Sequence, residues 1–329
     1  MTRRSRLLAA CTAVAVLLLA GCGLDRPGGA GDELSQLKIM APAAPGGGWD
    51  QTSRALQQAM EAERVVGSVQ VTNVEGAGGT VGLAQLASSN DDRQLMTMGL
   101  VMVGAVETND SEVTLEQVTP IARLTGEGLV LVVPASSPHR TLADFVTAWR
   151  ADPGGTPIAG GSAGGADQIL AVQIAKESGI GPKSVNYVAF SGGGESLAAL
   201  LGGQVAAGVS GVAEYAEQVK AGELRALAVS GRQPSSQLPE VATLRTQGVD
   251  VELTNWRGVV ARPGLPEEAR TRLVDAVTRA HESATWQQTV RQRGWEDQFQ
   301  PAAAFDAFLD AERQRVRQIL IDIDLIEGG

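Results

Sequence analysis

Glycine-rich turns hold the residues of this sequence whose spacing is best suited to chemistry. Four such turns each follow a short apolar run and open a helix-like stretch, at 46–48, 76–80, 160–165 and 191–195. Without side chains, these turns let a ligand reach the free N–H groups of a helix N-terminus, where the helix dipole favours anions. One turn of this kind is more often structural than functional, but four in one chain predict that at least one pair contacts an anion.

Asp50 stands two residues after the first of these turns, in the segment PGGGWD, and has two interpretations. An aspartate at this position can cap the helix that follows. It can instead point into a binding cleft and hold a ligand hydroxyl, an amine or an ordered water. The sequence leaves both interpretations open.

A nucleotide-binding enzyme would share part of this pattern. The segment GAGGTVG has the glycine spacing of a nucleotide-binding turn, a motif that is weak when it stands alone. Neither Tyr187 nor Tyr215 has a lysine four residues later to form a catalytic pair, and the chain lacks the G-x-x-x-x-G-K-[ST] motif of a P-loop. The sequence therefore does not support a nucleotide-binding enzyme.

A serine hydrolase is the stronger enzymatic alternative. Residues 160–164 read G-G-S-A-G and fit the G-x-S-x-G turn around a nucleophile, which would be Ser162. The general base is the difficulty, because His139 precedes the serine and His281 falls within a helical stretch, where we expect it to be solvated. We therefore predict no catalysis, no cofactor and no metal, and we keep an exported α/β hydrolase as the alternative.

The N-terminus is predicted to be a lipoprotein signal peptide covering residues 1–21. Three arginines precede an apolar run at 7–19, and the lipobox LAGC follows. Cys22 would then be the lipid-modified first residue of the mature protein, while Cys11 is lost with the signal. The mature domain would keep no thiol for a metal site or a nucleophile. Residues 22–35, rich in Gly, Pro and Asp, predict a flexible tether that holds the domain at the cell surface or in the periplasm.

The charge of the chain excludes two kinds of partner. The net charge of −10 becomes about −13 once the three arginines of the signal are removed. A nucleic-acid surface and a basic membrane-binding face are therefore excluded. About 290 residues remain for folding, which is enough for two domains.

The elements that position the turns alternate between β-like runs and amphipathic helical stretches. This order predicts an α/β fold with mainly parallel sheets. Strands are predicted at LKIMA, VQVTNV, QLMTMG, LVLVVP, SVNYVAF, VAAGVSG and LRALAVS. The chain is expected to change lobe near 132–138 and near 255–264. The predicted organisation is lobe 1 at 36–134, an inserted lobe 2 at 135–256, and a return to lobe 1 with C-terminal helices at 257–329.

Eight segments together resemble the substrate-binding proteins of tripartite tricarboxylate transporters, the TctC or Bug family. They follow the family's order from about residue 37 onward: PGGGWDQTSRALQ, GAGGTVGLAQLA, MGLVMVGAVETN, TPIARLTGE, GGSAGGADQIL, VNYVAFSGGGESLAALLGGQVAAGVSGVAEY, AGELRALAVS and NWRGVVARPG. The NWRGV and GVSG segments resemble the tricarboxylate-binding branch more than the wider family.

This resemblance implies a receptor with the two-lobed, type II periplasmic-binding-protein fold, which closes about a hinge on a small di- or tricarboxylate such as citrate. It also implies a partner, a membrane permease with one large and one small subunit. We expect the receptor to be a monomer. A carboxylate-sensing accessory protein of a signalling system would use the same cleft and stays open as an alternative.

The resemblance also implies ligand contacts, made mostly through backbone amides and ordered water. Carried over by position, they are Gly46, Gly47, Gly48, Asp50, Gly78, Gly79, Thr80, Ser162, Gly164, Gly165, Gly192, Gly193, Gly194, Ser210 and Glu214. Gln168 departs from the family's pattern, in which histidine is frequent, and its amide cannot add a positive charge. Arg123 and Arg257 are candidate cations, for which we expect a structural role between the lobes.

Overall fold

This computed structural model describes residues 34–190 and 193–328. These residues form two β-sheets, each flanked by helices. The first sheet has the strand order β11 (Glu296–Pro301), β4 (Thr119–Gly126), β10 (Arg257–Ala261), β3 (Gln94–Gly99), β1 (Leu37–Ala41) and β2 (Val69–Asn73). The second has the order β7 (Tyr187–Ala189), β6 (Ile158–Gly160), β8 (Ala207–Gly211), β5 (Leu129–Pro134) and β9 (Leu224–Val229). We call the two sheets with their helices lobe 1 and lobe 2. The predicted two-lobed α/β architecture is confirmed.

The described residues form ten α-helices, and each predicted glycine-rich turn leads into one of them. They are α1 (Gly48–Ala62), α2 (Thr80–Ala87), α3 (Leu100–Thr108), α4 (Leu142–Ala151), α5 (Ala166–Glu177), α6 (Gly193–Leu201), α7 (Val212–Lys220), α8 (Glu267–Glu282), α9 (Ala284–Arg293) and α10 (Ala302–Asp322). In these described ranges, none of the helices has the length and apolarity needed to cross a membrane. Helices α1, α2, α5 and α6 follow strands β1, β2, β6 and β7, as the sequence predicted.

Alternation along the strands separates two apolar layers in lobe 1, because successive side chains point to opposite faces of a sheet. Ile39 belongs to the layer under α1 and α8, together with Leu56 and Leu273. Its neighbour Met40 belongs to the other layer, where α2 contributes Leu83. This second layer continues through α10 and α5 into lobe 2, so the two lobes share one apolar core.

The sheets are mixed rather than mainly parallel, which corrects the prediction from the sequence. Strand β1 pairs in parallel with β2 and β3, but β10 pairs antiparallel with β3 and β4, and β5 pairs antiparallel with β8 and β9. The chain leaves lobe 1 through β4 and returns through β10 in the opposite direction. Local hydrophobic periodicity carries no information about this direction.

The two crossings between the lobes lie side by side as an antiparallel ribbon. The amides of Glu127 and Asn255 each donate to the other's carbonyl oxygen, at 3.2 and 2.8 Å, and Gly128 pairs with Thr254. Strand β5 follows the first crossing and already pairs within the second sheet. The boundary predicted at 134/135 therefore falls one strand too late, because only two residues separate β4 from β5 and no turn signal marks the crossing.

Candidate ligand-binding cleft

A cavity of about 290 Å³ opens between the two lobes, next to the crossing ribbon. Lobe 1 and the ribbon contribute Ala43, Gly47, Gly48, Trp49, Val101, Glu127, Asn255 and Arg257. Lobe 2 contributes Gly161, Ser162, Gly165, Ala166, Asp167, Gly193, Ser210, Gly211 and Glu214. The lining combines helix N-termini, four charged side chains and a small apolar wall, as expected for a site that orients a small polar ligand.

On the lobe 1 side, the cavity is bounded by the N-terminus of α1. The loop after β1 turns at Gly46, whose φ of +85° lies in the region that favours glycine, and the helix begins two residues later. Gly47 is the N-cap of α1. Its backbone is extended, with φ of −66° and ψ of 164°, and no side chain caps the helix. The first N–H groups of α1 therefore lack helical partners and face the cavity with the positive end of the dipole.

Asp50 holds this loop in place from behind, and its side chain is only 3% exposed. Its carboxylate accepts hydrogen bonds from the amide of Gly46 at 2.8 Å, from Arg54 at 3.0 Å and from Asn73 at 2.9 Å. Burial raises the pKa of Asp50, but these hydrogen bonds outweigh burial and hold the pKa below its usual value. Asp50 is neither the N-cap nor part of the cavity lining; it braces the loop that bounds the cavity.

Arg257 and Glu127 form a buried ion pair where the ribbon meets the cavity. Nη2 of Arg257 donates to Oε2 of Glu127 at 2.8 Å, and the two side chains are 7% and 11% exposed. A Cβ on Gly48 would lie 2.6 Å from the same Nη2, so only glycine lets the guanidinium reach this position beside α1. The structure therefore places a cation against the N-terminus of α1.

On the lobe 2 side, the turn between β6 and α5 carries Ser162, and the first turn of α5 carries Asp167. The amide of Gly161 donates to Oδ2 of Asp167 at 2.7 Å. Burial raises the pKa of Asp167 to about 7 against the effect of this hydrogen bond. The negative charges of Glu214 and Glu127 raise it further.

Glu214, on the first turn of α7, completes the lobe 2 wall. It keeps access to solvent in the cleft, but reduced hydration between the cleft walls raises its pKa. The hydroxyl of Ser210 donates to its Oε2 at 3.0 Å and opposes this rise. Gly193, at the start of α6, leaves the space that this carboxylate fills, since a Cβ there would overlap Oε2 of Glu214.

The structure brings together about half of the residues that the sequence assigned to the ligand. The members that line the cavity are Gly47, Gly48, Ser162, Gly165, Gly193, Ser210 and Glu214. Gly46 and Asp50 support the lining from behind. Gly192 and the lipidation residue Cys22 lie outside the described residues.

The turn before α2 does not line the cavity, although Gly78, Gly79 and Thr80 were assigned to the ligand. A Cβ on Gly79 would lie 2.8 Å from the ring of Trp49, so this glycine makes room for an aromatic side chain of the cavity wall. Gly78, with φ of +62°, packs against Ala105 of α3. The hydroxyl of Thr80 donates to the carbonyl of Ala77 at 3.0 Å. These residues support the lobe 1 wall through packing.

Gly164 and Gly194 also lie outside the cavity lining. Gly164 has φ of +73° and packs between Thr108 and Leu320, and its amide donates to Oε1 of Gln168 at 2.8 Å. Gln168 therefore stabilises the turn through a backbone contact. A Cβ on Gly194 would meet no atom within 4 Å.

Sequence reasoning missed Glu127, Asp167, Asn255 and Trp49 as cavity residues. All four stood inside segments that carried the family resemblance, but their side chains reach the cavity only because the ribbon and two helix starts converge. Arg257 was expected to be structural, and it both lines the cavity and forms the ion pair with Glu127.

Arg123 lies away from the cavity and belongs to lobe 1. It donates to Gln298 and Gln300 of β11, and its guanidinium stacks 3.9 Å from the ring centre of Phe308. Burial lowers its pKa to about 10. Arg123 therefore joins parts of lobe 1 and does not connect the lobes.

Comparison with known protein families identifies the family of this chain. The model of the Tripartite tricarboxylate transporter family receptor, TctC, matches residues 52–325. The chain belongs to the TctC receptor family. BugT of Bordetella pertussis is 26% identical over 263 residues, which cover 77% of this chain and 78% of BugT. The predicted family is confirmed, and TctC proteins are periplasmic solute-binding receptors.

Solved structures share the TctC fold. MatC from Rhodopseudomonas palustris, solved with bound malate, has a TM-score of 0.72 at 22% identity, covering 87% of this chain and 98% of MatC. An R. palustris protein solved with adipate has a TM-score of 0.75 at 20% identity, covering 88% and 97%. These likenesses confirm the two-lobed periplasmic-binding-protein fold.

Neither histidine of the chain lines the TctC cleft beside Ser162. His281 lies in α8 as predicted, but its side chain is only 14% exposed: it stacks on Phe299 at 4.0 Å and pairs with Asp297 at 3.0 Å. His139 packs edge to face against Phe145. The only two histidines of the chain thus lie away from Ser162. In the described residues, no group of three His, Cys, Asp or Glu side chains is arranged to hold a metal ion.

Proposed function

We propose that this TctC receptor captures a small di- or tricarboxylate, for which citrate is the example suggested by the sequence, and delivers it to a membrane permease with one large and one small subunit. One observation carries the proposal: Arg257 and the N-terminus of α1 face the glycine-rich turns of lobe 2 across one cavity. The malate and adipate bound by two proteins of the same fold are small dicarboxylates.

The cleft suggests how a carboxylate is held. One oxygen accepts from the free amides at the start of α1, beginning at Gly48, and another accepts from a guanidinium N–H of Arg257 that Glu127 does not use. The far end of the ligand contacts Ser162 and the amides at the start of α5. A ligand that contacts both lobes favours the closed form, because the open form lacks half of these contacts.

The predicted signal peptide and lipobox suggest that the receptor is attached to a membrane. Lipid on Cys22 and the tether at 22–35 would hold the receptor near the membrane, where a permease can accept the released ligand. Two acyl chains are needed for stable attachment, because a single chain gives only marginal binding.

Calorimetry and hydrogen exchange together test the proposal. Full-length protein freed of ligand is titrated with malate, adipate and citrate, and amide exchange is then compared with and without the tightest ligand. We expect protection at 44–50 in lobe 1 and at 160–168 in lobe 2. Absence of binding by all three carboxylates, or protection confined to one lobe, contradicts the proposal.

Ser162→Ala separates the receptor from the hydrolase alternative. A receptor loses about one hydrogen bond, roughly 0.5 to 1.5 kcal/mol of binding free energy. Esterase activity in the wild type that disappears in this variant would show a catalytic function instead.

A further inference from the structure

The two lobes also touch outside the cleft, where the turn between α9 and β11 meets a loop of lobe 2. Gly294 ends α9 in the left-handed conformation, with φ of +67°. A Cβ there would lie 3.0 Å from Oγ of Ser236 and 3.3 Å from Nε2 of Gln237, so the glycine gives the lobe 2 loop room for a close approach. The side-chain amide of Gln237 donates to the carbonyl oxygen of Arg293 at 3.1 Å. This contact joins the lobes at a place separate from the ribbon.

The loop that carries Gln237 is anchored in the core of lobe 2. The neighbouring Leu238 is 4% exposed and packs in the apolar cluster that contains Val229 and Tyr215. The amide of Leu238 donates to the carbonyl of Ser235 at 3.0 Å, and the backbone amide of Gln237 donates to the hydroxyl of the same serine at 3.3 Å. Gln237 therefore moves with lobe 2.

The side chain of Arg293 reaches the loop between β1 and α1, residues 42–47, which we call the ligand loop. Its Nη1 donates to Oε1 of Gln51 at 2.6 Å, and Nε2 of Gln51 donates to the carbonyl of Gly46 at 2.7 Å. The guanidinium also lies over the ring of Trp295, 5.2 Å from the ring centre, which is within the range of a cation–π contact. Arg293 thus connects lobe 2, through its backbone, to the ligand loop, through its side chain.

The contact from Gln51 differs from the other side-chain contacts that hold the ligand loop. Asp50 accepts the amide of Gly46, and Asn73 donates to the carbonyl of Ala43 at 2.9 Å, so these contacts lie within lobe 1. Gln51 is half-buried, and a glutamine side chain loses considerable rotamer entropy when it is fixed. The hydrogen bond from Arg293 helps to fix it. The hold of Gln51 on the loop therefore depends on where Arg293 lies.

We propose that Arg293 is a positioning residue that makes the order of the ligand loop depend on the position of lobe 2. This inference rests on the proposed receptor function and adds to it a residue outside the cleft. While lobe 2 holds the backbone of Arg293, the side chain stays within reach of Gln51, and the amides at the start of α1 are pre-organised for a carboxylate. When lobe 2 moves away, Arg293 releases Gln51, and the loop keeps its lobe 1 contacts alone.

Hydrogen exchange of the ligand-free, full-length protein tests this link without any ligand. Arg293→Ala removes the bond to Gln51, and we expect the amides of the ligand loop to exchange about threefold to tenfold faster, since about one hydrogen bond is lost. Gln237→Ala should accelerate the same amides. The double variant should exchange no faster than Arg293→Ala, because both changes break one chain of contacts. Arg293→Lys keeps a donor for Gln51 and should restore part of the protection.

Arg291→Ala is the matched control. Arg291 lies on the same last turn of α9, is exposed, and takes no part in the contacts that run from Gln237 to Gly46. This variant should keep wild-type exchange in the ligand loop. The substituted side chains are exposed or half-buried, so the variants should fold, and a thermal melt verifies this.

Calorimetry with whichever of malate, adipate and citrate binds most tightly adds the functional readout. Arg293→Ala should weaken binding by about threefold to tenfold, and Arg291→Ala should leave it unchanged. Wild-type exchange of the ligand loop in Arg293→Ala overturns the inference, and so does an additive effect in the double variant. Wild-type affinity in Arg293→Ala also overturns it, while the carboxylate receptor stands. If the exchange results hold but none of the three carboxylates binds the wild type, the receptor function fails and the link from lobe 2 to the ligand loop stands.

Discussion

Arg257 and Glu127 form a 2.8 Å ion pair at the ribbon that joins the lobes. Glu127 lies on the first crossing and Arg257 begins β10 just after the second, so the pair locks the two crossings together. Because the same guanidinium lines the cavity, the pair links the geometry of the hinge to the ligand site. The guanidinium also lies over the ring of Trp295, 5.5 Å from the ring centre.

Glu127→Gln should separate these two roles. The variant leaves a buried arginine without its counter-charge, and we expect the free energy of unfolding in urea to fall by roughly 3 kcal/mol. Affinity for a plain dicarboxylate should rise, because Arg257 can then give its full charge to the ligand. Glu217→Gln, at an exposed site, should change stability by no more than about 0.5 kcal/mol. Equal stability of the wild type and Glu127→Gln would show that the pair does not hold the ribbon.

Gly48→Ala should disrupt binding through a single methyl group. The new Cβ would lie 2.6 Å from Nη2 and 3.0 Å from Cζ of Arg257 and must push the guanidinium away from α1. We expect calorimetry to show at least about a tenfold loss of carboxylate affinity, since a charge-assisted hydrogen bond is lost. Gly154→Ala is the control, because a Cβ there meets nothing within 4 Å. Retention of wild-type affinity by Gly48→Ala would exclude Arg257 from ligand binding.

The pH dependence of stability should report the raised pKa of Asp167. Its pKa is raised to about 7 in the folded protein, whereas an unfolded aspartate titrates near 4. Between these values the folded state holds a proton that the unfolded state has released, so stability increases as the pH falls from about 8 towards 4.

Asp167→Asn should remove much of this dependence. Its amide oxygen still accepts the N–H of Gly161, while the repulsion from Glu127 and Glu214 disappears. We expect the free energy of unfolding of the variant to exceed that of the wild type by about 1 to 2 kcal/mol at pH 8 and by almost nothing at pH 4. Urea unfolding at pH values across that range measures the difference. The hydroxyls of Tyr187 and Tyr215, whose pKa values are raised by burial, stay neutral throughout. A parallel pH profile for wild type and variant would contradict a raised pKa at Asp167.

Cys22→Ser should abolish membrane attachment. If lipid on Cys22 is the anchor, the variant is released in soluble form or stays unprocessed, because stable attachment needs the acyl chains of the modified cysteine. Fractionation of cells followed by blotting measures this. Unchanged retention in the membrane fraction would remove the lipoprotein assignment and leave the cleft predictions untouched.

Much of the lobe architecture could be predicted because its signals are local. The strands at LKIMA, VQVTNV and QLMTMG, and the glycine-rich turns that lead into α1, α2, α5 and α6, appear in the structure where the sequence placed them. The helix α3 was missed because LVMVGAVET is buried on nearly all sides and shows no apolar stripe. Strand β11 was missed because EDQFQP is polar and lies at a sheet edge.

The sequence by itself determined that glycine stands at the start of the helices and that the chain belongs with solute receptors, because motif order and turn chemistry are read along the chain. Only the tertiary structure decided what each glycine does. The missing side chain leaves room for the guanidinium of Arg257 at Gly48, for the ring of Trp49 at Gly79 and for the carboxylate of Glu214 at Gly193. It also decided the charge of each cavity wall, since Asp167 and Glu214 lie about fifty residues apart in the chain and line the same cavity only because two helix starts converge on the cleft.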